Sequence, residues 1–523
     1  MQKNYSRGNK KMINIIRVPD RFKIHYDTTD FIRDDGVLRF EGIDGKLKVL
    51  LTATRSKPSF IELRWLGRTE EKVSVLGDKW ERAYGDMMWR GICAESFMPW
   101  YFFVRGEKEI LACGVETQPS SFVSWSFDKE GISCWLDVRC GGSGVELGGR
   151  ELEAATIVSK VYKNMSSFDA ACKFCKMMCP NPVLPENPVY GGNNWYYAYG
   201  ESSYADIIND ARLQSELSPG LANRPYMVID DGWQVNSTSG PWEPNEKFID
   251  MSALALDIKE MRVHPGIWVR YLHTQNEVPE IMQLKNRSSN GFTLDPSHPK
   301  VLHYVARETR KLVSWGYELI KHDFSTYDIF GGWGKDMNGK ITGDGWAFYD
   351  RAKTSAEIVR NFYRTIYENA GEALILGCNT ISHLAAGFVH LNRVGDDTSG
   401  KSWARTRKMG INALAFRLPQ NRAFYMIDAD CVGFMKGKIK WKYNKQWLDL
   451  LAKSGSPLFI SCARGTLSDD EMRYVRDAYA HASRQNDKAV PLDWEITSTP
   501  DTWLFNGKDE VRFEWYGNGA MIE

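Results

Sequence analysis

Between Tyr190 and Ser461 the chain sets short apolar runs against longer amphipathic stretches, and it does so eight times. The runs are VYGGNNWY, PYMVIDDGW, HPGIWVRY, YELIKHDF, EALILGCNT, FVHLNRVGDD, AFYMIDADC and PLFISC. Strand followed by helix is the pattern of parallel βα units, because a parallel neighbour can be reached only through a crossover. Eight such units in a segment of this length predict a (β/α)8 barrel, a fold that takes about 250 residues.

The texture changes on either side. Up to about residue 160 the chain alternates in short runs broken by turns, such as FVSWSFD, KEG and ISCWLDVRC, which reads as an antiparallel β domain. The glycines from Gly141 to Gly149 precede no helix start, so they read as a loop and not as a phosphate cradle. SSFDAACKFCKMMC followed by PNPVLPENPVYGG reads as a linker helix and a boundary, and VPLDWEITSTPDTWLFNGKDEVRFEWYG returns to alternation. The predicted division is a β domain over 1–165, a linker over 166–189, the barrel over 190–465 and a small C-terminal β domain over 466–523. The fold class is therefore multidomain, α/β plus β.

Composition narrows the function. A net charge of +1, with 43% hydrophobic and 25% charged residues, gives no electrostatic bias toward nucleic acid or membrane. The basic N-terminus lacks an apolar core segment and no run of 18 apolar residues occurs, so a cytoplasmic protein is expected. Cys172, Cys175 and Cys179 share one helical face, but no second Cys or His pair completes a metal site. They read as core thiols, and neither metal nor cofactor is expected. Aromatic residues make up 13% of the chain, a supply suited to stacking on sugar rings as well as to core packing.

Polar residues gather where the predicted strands end: Trp195, Asp230-Asp231, Trp268 with Arg270, Lys321 with Asp323, Cys378-Asn379, Arg393 leading to Asp396-Asp397, and Asp428 with Asp430. In a barrel these C-terminal ends carry the chemistry. Strand alternation puts Leu319, Lys321 and Asp323 on one face, and sends His322 toward the helix layer as a structural residue. Taken singly, each has a plainer reading. Asp230-Asp231 before Gly232 could cap a helix, the tryptophans could be core, and Asp428 and Asp430 read as structural because nothing beside them indicates a charge partner. Together, several carboxylates, tryptophans, a lysine and an arginine fit glycoside hydrolysis, which needs one nucleophilic and one acidic carboxyl group with aromatic platforms.

The motifs IDDGW, KHDF, ILGCNT and NRVGDDTSGKSW, in that order on successive strand ends, resemble the barrel of clan D α-galactosidases, glycoside hydrolase family 36, with family 27 more distant. LGDKWERAYGDMMWRG, Leu76 to Gly91, resembles a loop of their N-terminal domain. The resemblance implies an N-terminal β-sandwich, a catalytic barrel and a C-terminal β domain. It implies Asp323 as nucleophile and Asp397 as acid/base, with Asp396 the less favoured neighbour. It also implies that Asp230, Asp231, Trp195, Trp268, Lys321, Cys378 and Arg393 contact the sugar. The expected activity is exo-acting, retaining hydrolysis of terminal α-galactosides, and the expected partner is an oligosaccharide or glycoside. A raffinose-synthase-like transglycosylase and a hydrolase of N-acetylgalactosaminides stay open, as do a silent carbohydrate-binding protein and a metal-dependent hydrolase. Asn379-Thr380 stand where relatives have a small segment facing the sugar's 2-position, which bears on specificity. Lys401-Ser402-Trp403 could shape the leaving-group site, and Trp80, Tyr84 and Asp86 could reach the barrel mouth of this subunit or a neighbour.

Overall fold

The computed structural model describes residues 13–27, 35–68, 72–285, 287, 290–484 and 488–516. Two antiparallel sheets form the N-terminal domain. One is ordered Arg21–Tyr26, Pro58–Leu66, Gly131–Asp137, Phe122–Asp128, Met98–Pro99. The other is ordered Val37–Ile43, Lys46–Thr52, Leu152–Lys163, Glu109–Val115, Tyr101–Arg105, Ser74–Gly77. Alternation along Pro58–Leu66 buries Ile61, Leu63 and Trp65 while Glu62 and Arg64 stay partly exposed. Phe102 of the second sheet lies 5.8 Å, centroid to centroid, from Trp125 of the first, so the inner faces share one core as a sandwich.

The linker helix, Ser167–Met178, is capped by Ser166, whose hydroxyl accepts from the Asp169 N–H. Its apolar face buries Phe174 and Met178 against the sandwich, with Phe174 on Phe103, while Phe168 packs on Trp494. Cys175 and Cys179 are buried thiols, and no cluster of metal-binding side chains occurs among the described residues.

The barrel strands are β1 (Tyr190–Asn193), β2 (Tyr226–Ile229), β3 (His264–Val269), β4 (Leu319–His322), β5 (Leu374–Gly377), β6 (Leu391–Arg393), β7 in two pieces (Met426–Asp428 and Cys431–Gly433) and β8 (Leu458–Ser461). All pair in parallel. The first piece of β7 pairs with β6 and the second with β8, so the ring closes through two halves of one segment. Between them Asp430 takes a left-handed backbone conformation, φ 73°, which turns the strand from one neighbour to the other.

One segment departs from the expected division. Asp469–Ala482, assigned above to the C-terminal β domain, is a 14-residue helix. It packs on the barrel, where Tyr479 donates to the Gly191 carbonyl at 2.8 Å and to Gln214 at 2.6 Å. Its start is a capping box, Ser468 with Glu471, and its buried residues Val475, Ala478, Tyr479 and Ala482 recur at helical spacing. The C-terminal sheet itself is three short strands, Ala489–Pro491, Thr502–Phe505 and Asp509–Arg512. No helix of the described residues is long and apolar enough to cross a membrane.

Candidate active site

A cavity of about 300 Å³ opens at the C-terminal ends of the barrel strands. All nine residues that the resemblance implies as catalytic or sugar-contacting, Trp195, Asp230, Asp231, Trp268, Lys321, Asp323, Cys378, Arg393 and Asp397, line it, whereas Arg270, Asn379, Asp428 and Asp430 do not. They converge because every strand is parallel and therefore ends on the same side.

Asp230 follows β2 and is fixed from three sides. Its backbone N–H donates to Asn194 at 2.7 Å, and Oδ2 accepts from Asn193 at 2.7 Å and from the Lys321 ammonium at 2.6 Å. Asp231 accepts from Gln234, from the Thr238 N–H at 2.8 Å and from Ser237 at 3.1 Å. Gly232 comes next at φ 111°, and a Cβ there would stand 2.4 Å from the Gly200 carbonyl, so only glycine lets the chain turn at this place.

Asp323 closes β4. Its N–H donates to Val269 at 3.0 Å, while its carboxylate accepts from the Phe324 N–H at 2.7 Å and from Trp268 Nε1 at 3.2 Å. Phe324 sits at φ 61°, a conformation costing on the order of 1–3 kcal/mol for a bulky residue and found where a functional side chain is held in place. Burial pushes the Asp323 carboxyl up, but the positive charges of Lys321 and Arg82 and the two N–H donors outweigh it, so the group stays below the ordinary aspartate value. His322, one position out of phase, packs among Tyr271, Phe362 and Tyr363, and burial lowers its pKa to about 4. It is a neutral member of the helix layer.

Arg393 ends β6 and reaches Asp397 at 3.3 Å, Asp428 at 3.3 Å and Asp430 at 2.7 Å. The charge partner of Asp428 and Asp430 that local sequence does not indicate is thus Arg393. Burial raises the Asp397 pKa; Arg393 opposes this and Asp430 adds to it, and the net direction is upward. The Asp397 side chain nevertheless keeps 42% exposure, facing the cavity. Asp396 is half-buried, and the charges of Arg82 at 3.3 Å and Arg405 at 2.6 Å outweigh its desolvation and hold it below the ordinary value. The neighbouring aspartates are therefore pushed in opposite directions.

The N-terminal domain supplies part of the wall. Ala83 donates to the Val394 carbonyl at 2.8 Å, which ties the loop at Glu81–Tyr84 to the segment carrying Asp396 and Asp397. Arg82 and Tyr84 line the cavity, and the Arg82 guanidinium lies 5.3 Å from the Trp333 ring centroid. Trp80 instead packs in the core on Trp100 and Phe122, and Asp86 pairs with Lys79 outside the cavity. The remaining wall is Tyr196, Thr238, Phe324, Trp333, Lys335 and Asp396. Arg82, Trp333 and Lys335 carry no sequence signal of their own, since loop and domain packing bring them in.

Two expectations change. Asn379 and Thr380 do not line the cavity: Asn379 donates to the buried Glu81 carboxylate and Thr380 donates to Asn392. Of Lys401-Ser402-Trp403, the lysine lies over the Tyr199 ring at 4.0 Å, Ser402 caps the following helix and Trp403 donates to the Trp515 carbonyl at 2.7 Å. These three pack outside the cavity wall.

No family model matches the chain, and no curated protein matches it by sequence. Solved structures do match. An α-galactosidase from Thermus thermophilus in complex with p-nitrophenyl α-D-galactopyranoside has a TM-score of 0.62 at 15% identity, covering 94% of this chain and 99% of that one. The GH36 α-galactosidase AgaA from Geobacillus stearothermophilus has a TM-score of 0.59 at 12% identity, covering 93% and 77%. The galactosidase domain of the α-galactosidase-sucrose kinase AgaSK has 0.55 at 13%, covering 89% and 71%. The sandwich, the barrel and the terminal sheet together have the fold of the glycoside hydrolase family 36 α-galactosidases.

Proposed function

We propose that the protein is an exo-acting, retaining α-galactosidase in which Asp323 is the nucleophile and Asp397 the acid/base. The observation that carries this reading is the split between two carboxyl groups on one cavity: Asp323 is held toward its ionised form and Asp397 toward its protonated form. A nucleophile needs the first state and a general acid the second.

Asp323 attacks the anomeric carbon, and Asp397 gives its proton to the departing glycosidic oxygen. The sugar is then esterified to Asp323. Asp397, now ionised, takes a proton from water, and the resulting hydroxide displaces Asp323 from the anomeric carbon. Two inversions leave the configuration unchanged. Asp230 and Asp231 accept from sugar hydroxyls, Lys321 and Arg393 donate to them, and Trp195 and Trp268 offer apolar faces.

Terminal cleavage is supported by the cavity's size: about 300 Å³ suits one hexose, with Arg82, Tyr84, Trp333 and Lys335 completing its wall. Oligosaccharide substrates are supported by the similar folds, among them the Thermus enzyme solved with stachyose. The test is a panel of aryl α- and β-glycosides with the purified protein and Asp323→Ala. Release from the α-galactoside, abolished in Asp323→Ala, is expected; release unaffected by that substitution, or from β-glycosides instead, would overturn the reading.

A further inference from the structure

The break in β7 does more than close the ring. Asp428 ends the first half of the strand and Asp430 sits in the break, and both carboxylates reach the same guanidinium: Arg393 Nε lies 3.3 Å from Asp428 and Nη2 lies 2.7 Å from Asp430. All three side chains are buried. Asp430 is held in place by the hydroxyl of Tyr196 and by the N–H of Thr398 at 2.6 Å, while its own N–H donates to Asp428 at 2.9 Å. Neither aspartate has a part in the two-step displacement.

Arg393 also touches Asp397, at 3.3 Å. A bare guanidinium at that distance would hold a carboxyl group ionised, by about one to three pH units. A general acid in that state has no proton to give. From these contacts we infer that Asp428 and Asp430 form a carboxylate clamp that neutralises Arg393, positions it, and so lets Asp397 keep its proton in the working enzyme. The inference rests on Asp397 being the acid/base.

The other groups facing Asp397 fit this account. Arg82 draws its pKa down and Asp396 pushes it up, but Arg82 is itself paired with Glu81 at 3.1 Å and with Asp396 at 3.3 Å. Arg405 is taken by the Asp396 carboxylate and by the Asp397 main-chain carbonyl. Tyr196, on the far side, is a neutral phenol that burial keeps protonated. Arg393 is the cation in direct contact with the Asp397 carboxylate, and Asp430 is the anion bound to that same guanidinium.

The test is the pH profile of kcat/KM for Asp430→Asn, measured with an alkyl α-galactoside, whose departure needs the acid, and with a dinitrophenyl α-galactoside, whose departure does not. Asp397→Asn sets the reference and should abolish turnover of the alkyl substrate while sparing kcat/KM for the dinitrophenyl one. Asp430→Asn should move the alkaline limb of the profile to lower pH by about one unit or more, for the alkyl substrate alone. Asp428→Asn, which leaves the Tyr196 and Thr398 contacts intact, should shift it the same way and serves if Asp430→Asn does not fold. A uniform loss of rate with an unmoved limb would overturn the clamp and leave a merely structural role. Equal loss on both substrates in Asp397→Asn would overturn the acid/base assignment, and the clamp with it.

Discussion

The ammonium of Lys321 stands 2.6 Å from the Asp230 carboxylate, at the base of the cavity and out of water. This lysine therefore has two tasks: it neutralises Asp230, and through space it helps to keep Asp323 ionised.

Removing the lysine should show both. Lys321→Met leaves Asp230 buried with no cation, a change that costs about 3 kcal/mol or more. A lower midpoint of chemical denaturation is expected together with near-complete loss of turnover. Unchanged stability would mean that Asp230 is hydrated and not dependent on the pair.

Activity should follow a bell in pH. It needs Asp323 ionised, so it falls on the acid side as that low-lying group takes up a proton; it needs Asp397 protonated, so it falls on the alkaline side as that raised group loses one. Measuring kcat/KM between pH 3 and 9 in wild type and Asp397→Asn checks the assignment, because only the alkaline limb should vanish in the variant.

The pH dependence of stability should be set by two opposing sets of buried groups that lie outside the cavity. Burial raises Glu81 and Asp210 to about 7, so the stability that their proton binding supplies is fully present below the unfolded carboxylate range and is lost as pH rises through about 7. Burial lowers His322, His383 and His390 to about 4, so their share is present above the unfolded histidine value and is lost as pH falls from about 6.5 toward 4. The two windows overlap between about 4 and 7, where the carboxyls and the histidines oppose one another, so denaturation midpoints should vary little over that range in the wild type, and Glu81→Gln should make stability rise more steeply with pH there.

The N-terminal loop should matter to the nucleophile as well as to substrate binding. Arg82 is buried in the cavity wall, paired with Asp396 and set against Trp333 and Tyr84, and its charge helps to hold Asp323 ionised. Arg82→Ala is expected to move the acid limb of kcat/KM to higher pH and to raise KM for a trisaccharide. Steady-state kinetics from pH 3 to 9 decides; an acid limb left in place would mean that the Arg82 charge does not act on Asp323.

What could be read from the sequence follows the geometry of parallel strands. Lys321 and Asp323 announce themselves because alternation fixes their face and a barrel puts every strand end on one side. Trp195, Asp230 and Arg393 come to the same place by the same rule. Arg82 and Glu81 do not, since they lie about 240 residues from Asp323 in sequence and arrive only when the sandwich packs on the barrel. Asn379 follows a strand end yet turns away, because the buried Glu81 carboxylate claims its amide. The pairing of Arg393 with Asp428 and Asp430 depends on the neighbouring position of β6 and β7 and on the left-handed turn at Asp430, neither of which a local pattern encodes. The helix at Asp469 was legible, in Ser468-Asp469-Asp470-Glu471, but was masked by the β texture that follows it.

The central claim, that Asp323 forms a bond to the sugar, is tested most directly by trapping. The protein would be treated with a fluorinated α-galactoside whose glycosyl-enzyme turns over slowly, then digested and analysed by mass spectrometry. One added sugar is expected, carried by the peptide containing Asp323 and absent from Asp323→Ala. A label on any other carboxylate, or steady turnover with no labelled protein, would contradict it.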